Sequence, residues 1–204
     1  MSIATLLHHH GVDVPRYVTV NGQVVFDDVQ SSPSGYTHSS LGAVTPVRNH
    51  TFHGGEEASD HTSREGDTWW SDEARLQRHI SAMEQSFPGF IYVAATDSVG
   101  PCWGGEINTG RGKFKVLIVM RRDEGLPRVM VVGPKLGVPS GKTWIPSPHL
   151  YLNGNLCVAD EGDWNPEEHT VATVTAWAAH WLAAYTEWRM TRRWPVEGVQ
   201  TLVA

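Results

Sequence analysis

Cysteine is scarce in this chain, long apolar runs are missing, and there is no surplus of positive charge. Two cysteines among 204 residues, Cys102 and Cys157, are too few for a disulfide framework, so both are read as free thiols. No apolar run approaches the ~20 residues that a membrane-spanning helix requires. Sixteen Lys and Arg against 22 Asp and Glu leave a formal net charge of −6, which gives neither nucleic acid nor an anionic membrane a basic face to bind. The opening residues Met1 to His8 have no basic leader and no long apolar stretch. No secretory signal is expected there, and the expected location is the cytoplasm.

Apolar residues are plentiful, at 40 %, enough for a packed core. Nine residues are tryptophan. Five of them (Trp164, Trp177, Trp181, Trp188 and Trp194) crowd the last quarter and point to a firmly anchored C-terminal element. Tryptophans at helical spacing read as packing rather than catalysis.

Residues 1–66 read as an extension. Tyr17 to Phe26 holds two apolar runs around Asn21-Gly22, a hairpin signal. From Val29 to Glu65 the chain is rich in Ser, Gly, Thr and His, and a flexible linker is expected. The histidines at 8, 9, 10, 38, 50, 53 and 61 match no common zinc spacing, so no metal site is expected. Gly54-Gly55 and the hairpin resemble fragments of a ubiquitin-like fold and its diglycine tail. The segment has too few apolar residues for such a fold, and a docking strand or mobile tail is the reading that remains.

A compact domain is expected over 67–204. Leu76, Ile80, Met83 and Phe87 recur on one face of a helix that Ser71 is placed to cap and Pro88-Gly89 to stop. Strands are predicted over 90–95, from 106, over 113–120 and over 128–132. Their short connections imply an antiparallel meander. Residues 133–164 form a long loop, a length usually tied to function. Asn165-Pro166-Glu167 starts a second helix, with Val171, Val174, Ala178, Trp181, Leu182, Tyr185 and Trp188 on its apolar face and Trp194-Pro195 at its end. The fold class is α+β.

The loop carries the chemistry. His149 stands eight residues before Cys157, and Asp160, Glu161 and Asp163 follow it. A thiol near neutral pH needs a cation or oriented donors to ionise, and acidic neighbours oppose that. They suit the orientation or deprotonation of an incoming amine, or the capping of the next helix. The set fits an acyl-carrying thiol better than a Cys-His protease pair. A buried core thiol and a structural histidine are the non-functional alternative. Cys102, between Gly100-Pro101 and Trp103-Gly104, reads as structural in a turn-like setting.

The segment His149-x-Tyr151-x-x-Gly154-x-Leu156-Cys157, then Trp164-x-Pro166, then Trp177, Trp181-Leu182, Tyr185, Trp188 and Trp194-Pro195, resembles the bacterial branch of the E2 ubiquitin-conjugating family. The resemblance covers roughly 67–198. It implies a UBC-like fold and Cys157 as the surface nucleophile that holds a ubiquitin-like protein as a thioester. Its implied setting is an anti-phage defence operon. The implied partners are an E1-like adenylating enzyme, a ubiquitin-like modifier or conjugated cyclase-type protein, and a target lysine. No cofactor is implied. Eukaryotic members place an Asn about eight residues before the cysteine, where this chain has His149. Oxyanion stabilisation or loop ordering therefore falls to His149, with Asn153 as a second candidate. Tyr151 reads as a loop anchor, and Arg75 and Arg78 stand where the family meets its E1. Two rivals are an inactive E2-fold binding module and a cysteine (iso)peptidase, which would need His149, His169 or His180 against the Cys157 sulfur.

Overall fold

A computed structural model describes residues 14–60, 68–133 and 135–196. The expected domain start at Asp67, the histidines at 8–10 and 61, and the opening segment lie outside these residues.

The Asn21-Gly22 hairpin forms as predicted, with β1 (Tyr17–Thr19) paired antiparallel to β2 (Val24–Val25). Gly22 sits at φ +97°, and a Cβ there would lie 2.6 Å from the Ile107 side chain. Only glycine lets the hairpin tip approach so closely. The stretch expected to be a linker departs from prediction. Up to residue 46 it folds into β3 (Val29–Ser32), β4 (Gly35–His38) and β5 (Gly42–Pro46). With β1 and β2 they make a five-stranded sheet in the order β2-β1-β5-β4-β3. The strands are short and mostly half-exposed, so they need few large apolar residues. That is why their composition looked like a loop.

Helix α1 (Glu73–Ser86) is capped by Asp72, whose carboxylate accepts from the Ala74 and Arg75 amides. Ser71 instead ends a preceding 3-10 turn. The predicted meander is present: β6 (Ile91–Val93), β7 (Cys102–Asn108), β8 (Lys113–Val119) and β9 (Arg128–Val131) pair antiparallel in chain order. Cys102 is not in a turn. It opens β7, opposite Val93 and Val119, and is buried. The expected long loop also contains structure, a hairpin of β10 (Gly137–Ser140) and β11 (Thr143–Pro146).

Helix α2 (Val171–Thr191) starts later than Asn165. Asn165 does act as a cap, since its side chain accepts from the Glu167 amide and its carbonyl from the Glu168 and His169 amides. It closes a single turn. Arg78 takes the Pro166 and His169 carbonyls, and His79 Nδ1 accepts from the Val171 amide, so the helix restarts there. The sequence gives α2 one apolar face, yet Val171, Ala172, Val174, Thr175, Ala176, Trp177, Ala178, Ala179, His180, Trp181 and Leu182 are all buried. The N-terminal sheet and the chain following it cover the remaining side. Trp177 Nε1 donates to the Arg48 carbonyl at 2.9 Å, and His180 Nδ1 lies 3.1 Å from His50 Nε2. Among the described residues the result is an α+β arrangement of antiparallel sheets and two α-helices around one core. No helix among the described residues is long and apolar enough to cross a membrane.

Candidate active site

The cysteine loop is a tight hairpin laid on the meander's last strand. Leu150 and Leu156 form an antiparallel bridge. The Tyr151 amide donates to Asn155 O and the Gly154 amide to Tyr151 O, with Gly154 at φ +90°. The Leu156 amide donates to Val129 O at 2.8 Å. His149 adopts φ +56°, uncommon for a side chain of its size. Its carbonyl accepts from the Cys157 amide at 3.1 Å and from Trp181 Nε1 at 3.0 Å. Helix α2 thus holds the His149 carbonyl to which the Cys157 amide is bonded.

Cys157 is fully buried, which corrects the expectation of a surface thiol. Its S–H donates to Ala159 O at 3.7 Å. The Tyr151 hydroxyl and the His53 main chain also bond to the sulfur, and both bonds favour the thiolate. Burial outweighs them, and with Asp160 and Glu57 nearby the thiol pKa is pushed above its usual value. Tyr151, bonded to that sulfur, is held neutral chiefly by burial.

The cover over the thiol comes from residues 51–60. The Thr51 amide donates to Asp163 Oδ2 at 2.7 Å, and His149 Nδ1 donates to His53 O at 2.7 Å. Gly55 bridges Tyr151 in parallel, and its carbonyl accepts from the Leu152 amide at 2.9 Å. Glu57 Oε2 accepts from Asn153 Nδ2 at 2.7 Å and Asn155 Nδ2 at 2.8 Å, and lies 3.6 Å from Arg128 Nε. Beyond it, Arg121 Nη2 donates to Ser59 O, while the Arg122 and Asp123 amides donate to the Asp60 carboxylate. Arg121 is itself buried and also binds Asp123 and Glu161.

The acidic residues after the thiol build a 3-10 turn over Glu161–Asp163. Asp160 Oδ1 accepts from the Gly162 amide, and Asp163 Oδ2 from the Asp160 amide. The other Asp160 oxygen lies 3.3 Å from His53 Nε2, and its side chain stays half-exposed. Loop residues Asn153, Asp160 and Asp163 and the residues His149 and Cys157 are therefore gathered in one place, but both oxyanion candidates spend a donor on 51–60. The His149 ring is kept neutral by burial, which lowers its pKa. Among the described residues its Nε2 has no hydrogen-bond partner, and neither has Nε1 of Trp194, whose ring lies 4.9 Å away between centroids. The other histidines of the hydrolase alternative engage elsewhere: His169 Nδ1 accepts from the Asn165 amide, and His180 meets His50 and Arg16.

Arg75 pairs with Glu124 and faces the Trp69 ring, while Arg78 holds the turn before α2. Both have structural employment. In the N-terminal sheet, possible ligand atoms of Asp27, Asp28 and His38 lie within 4.8 Å of one another, but His38 Nδ1 already accepts from the Ser40 and Leu41 amides. Sequence reasoning missed Glu57, Asp60 and Arg121. The one signal near them was Gly54-Gly55, because the spacing of a solvated acid and of a buried one looks alike in a single sequence.

A profile of the family described as Type II CBASS E2 protein matches residues 79–201, more than half of the chain. No curated protein and no solved structure matches.

Proposed function

This chain belongs to the Type II CBASS E2 protein family, and from that premise we propose that it is a conjugating enzyme of anti-phage defence with Cys157 as its acyl carrier. In this reading the meander, hairpin loop and α2 form a UBC-like fold over 67–204, with 1–66 as an appended sheet and strap. The Cys157 thiolate attacks the carbonyl carbon of an E1-bound thioester. A tetrahedral oxyanion forms, the carbon–sulfur bond to the E1 breaks, and the E1 thiolate leaves. The modifier, a ubiquitin-like or cyclase-type protein, then rests on Cys157. A target lysine amine attacks, an amide forms, and Cys157 departs as thiolate and regains its proton.

The supporting observation is the fixing of Cys157 between two anchors, its amide on the His149 carbonyl and its sulfur beside the Tyr151 hydroxyl. A nucleophile held this way has its attack direction set before the donor arrives. His149 Nδ1–H and the Asn153 amide are the donors within the loop suited to the oxyanion. Asp160, half-exposed after the thiol, is the carboxylate suited to the amine, and Asp163 keeps that turn in shape.

The full burial of Cys157 favours a second reading, an E2-like module that presents a partner without catalysis. One experiment separates the two. With E1, ATP and modifier, wild type gives an adduct on a non-reducing gel that thiol reductant removes. Cys157→Ala gives none, and Cys157→Ser gives a reductant-resistant ester. An adduct that survives Cys157→Ala, or wild type that never forms one, would end the acyl-carrier reading.

A further inference from the structure

Residues 51–60 make contacts that a mere connection from sheet to helix does not need. They run beside the thiol hairpin, joined by one parallel bridge and by hydrogen bonds at Thr51, His53, Gly55, Glu57, Ser59 and Asp60. Two acceptors stand out. The His53 carbonyl takes the proton of His149 Nδ1, and the Glu57 carboxylate takes the amide protons of Asn153 and Asn155. These donors stand in the hairpin that carries Cys157, and the His53 main chain bonds to the sulfur as a donor, in the sense that favours the thiolate. The strap carries Gly54-Gly55, and Gly55 sits at φ +95°, a conformation that larger residues adopt only with strain. Cys157 has no exposed surface, so this strap lies where a donor's C-terminal tail must come to reach the sulfur.

We propose that residues 51–60 are an inhibitory strap, which covers Cys157 and must move before the acyl donor's C-terminal tail can reach the sulfur. This rests on the acyl-carrier reading above. At rest the strap excludes the tail and keeps the thiol dry. The donor's tail displaces the strap and brings its terminal carbonyl carbon to the sulfur. Glu57 leaves with the strap, which removes one of the charges opposing thiolate formation. The strap's far end is fastened by Asp60 to the Arg122 and Asp123 amides and by Ser59 to Arg121, so opening begins with the loss of side-chain contacts at Glu57 and Asp60.

The test uses full-length protein, Glu57→Ala, Asp60→Ala and the double variant. Alkylation of each cysteine by iodoacetamide is followed by peptide mass spectrometry, with Cys102, buried in β7, as internal reference. Cys157 is expected to react at least tenfold faster in the double variant, with Cys102 unchanged, and amide exchange at Leu152 to rise with it. Thioester formation with E1, ATP and modifier is expected to accelerate in the same order. Equal Cys157 alkylation in all four proteins, or a parallel rise at Cys102, overturns the strap. Faster alkylation with no thioester in any variant overturns the tail assignment through the function it rests on, and leaves residues 51–60 as a cover alone. Glu57→Gln, which keeps an acceptor for the two asparagines, is expected to fall between wild type and Glu57→Ala.

Discussion

Among the described residues, the Tyr151 hydroxyl is the side-chain donor that favours the Cys157 thiolate. Such a donor stabilises the thiolate more than the thiol, so Tyr151→Phe is expected to move the pH profile of Cys157 alkylation to higher pH. Measured in the Glu57→Ala background, where the reagent has access, an unshifted profile would remove Tyr151 from the chemistry. A second consequence concerns neutral histidines. Burial lowers both His50 and His79 from 6.5 to about 4. In the unfolded chain each gains its proton as pH falls through 6.5, while in the fold it resists until about 4. Stability is therefore full above pH 6.5, declines between 6.5 and 4, and levels off below. Each residue withdraws at most about 3 kcal/mol. Urea midpoints across that range, for wild type and His79→Gln, check the slope: the variant should decline less steeply. Cys157, His149 and the acidic group were legible as residues because their types and spacing are local. Their burial was not, since it depends on a segment a hundred positions away.

Among the elements, the meander and both helices followed from local pattern, because alternation and a one-sided apolar stripe are written within each element. The N-terminal sheet did not. Its strands β3 and β4 carry Gln30, Ser31, Ser32, Thr37 and Gly35, and their partners are chosen by register rather than by apolar content. The start of α2 was misplaced for a related reason. Asn165 is a genuine cap, but Arg78 and His79 of α1 decide where the helix proper begins. The hairpin that joins the two sheets gives the clearest test at this scale. Gly22→Ala would force a left-handed residue and press a methyl group on Ile107. Thermal unfolding should register a loss of about 1–3 kcal/mol, while Asn21→Ala, which leaves the close approach intact, should cost less.

Across the whole molecule, Arg121 joins parts that are distant in sequence. The buried guanidinium holds Ser59 of the strap, Asp123 of the β8–β9 turn and Glu161 of the turn after the thiol. Arg121→Met would take the guanidinium from the Asp123 and Glu161 carboxylates and from the Ser59 carbonyl at once. Chemical denaturation is expected to show a loss of about 3–5 kcal/mol, far beyond that of Arg111→Met, whose ion pair with Glu187 is exposed. The sequence could not announce this arrangement, because arginine is ordinarily a surface residue and only the fold brings the three acceptors together.

The closed cover also bears on chemical survival. Peroxide attacks thiolates that it can reach, and Cys157 has no exposed surface and a raised pKa. Cys157 is thus expected to stay reduced at a peroxide dose that oxidises an exposed thiol, which peptide mass spectrometry after exposure checks.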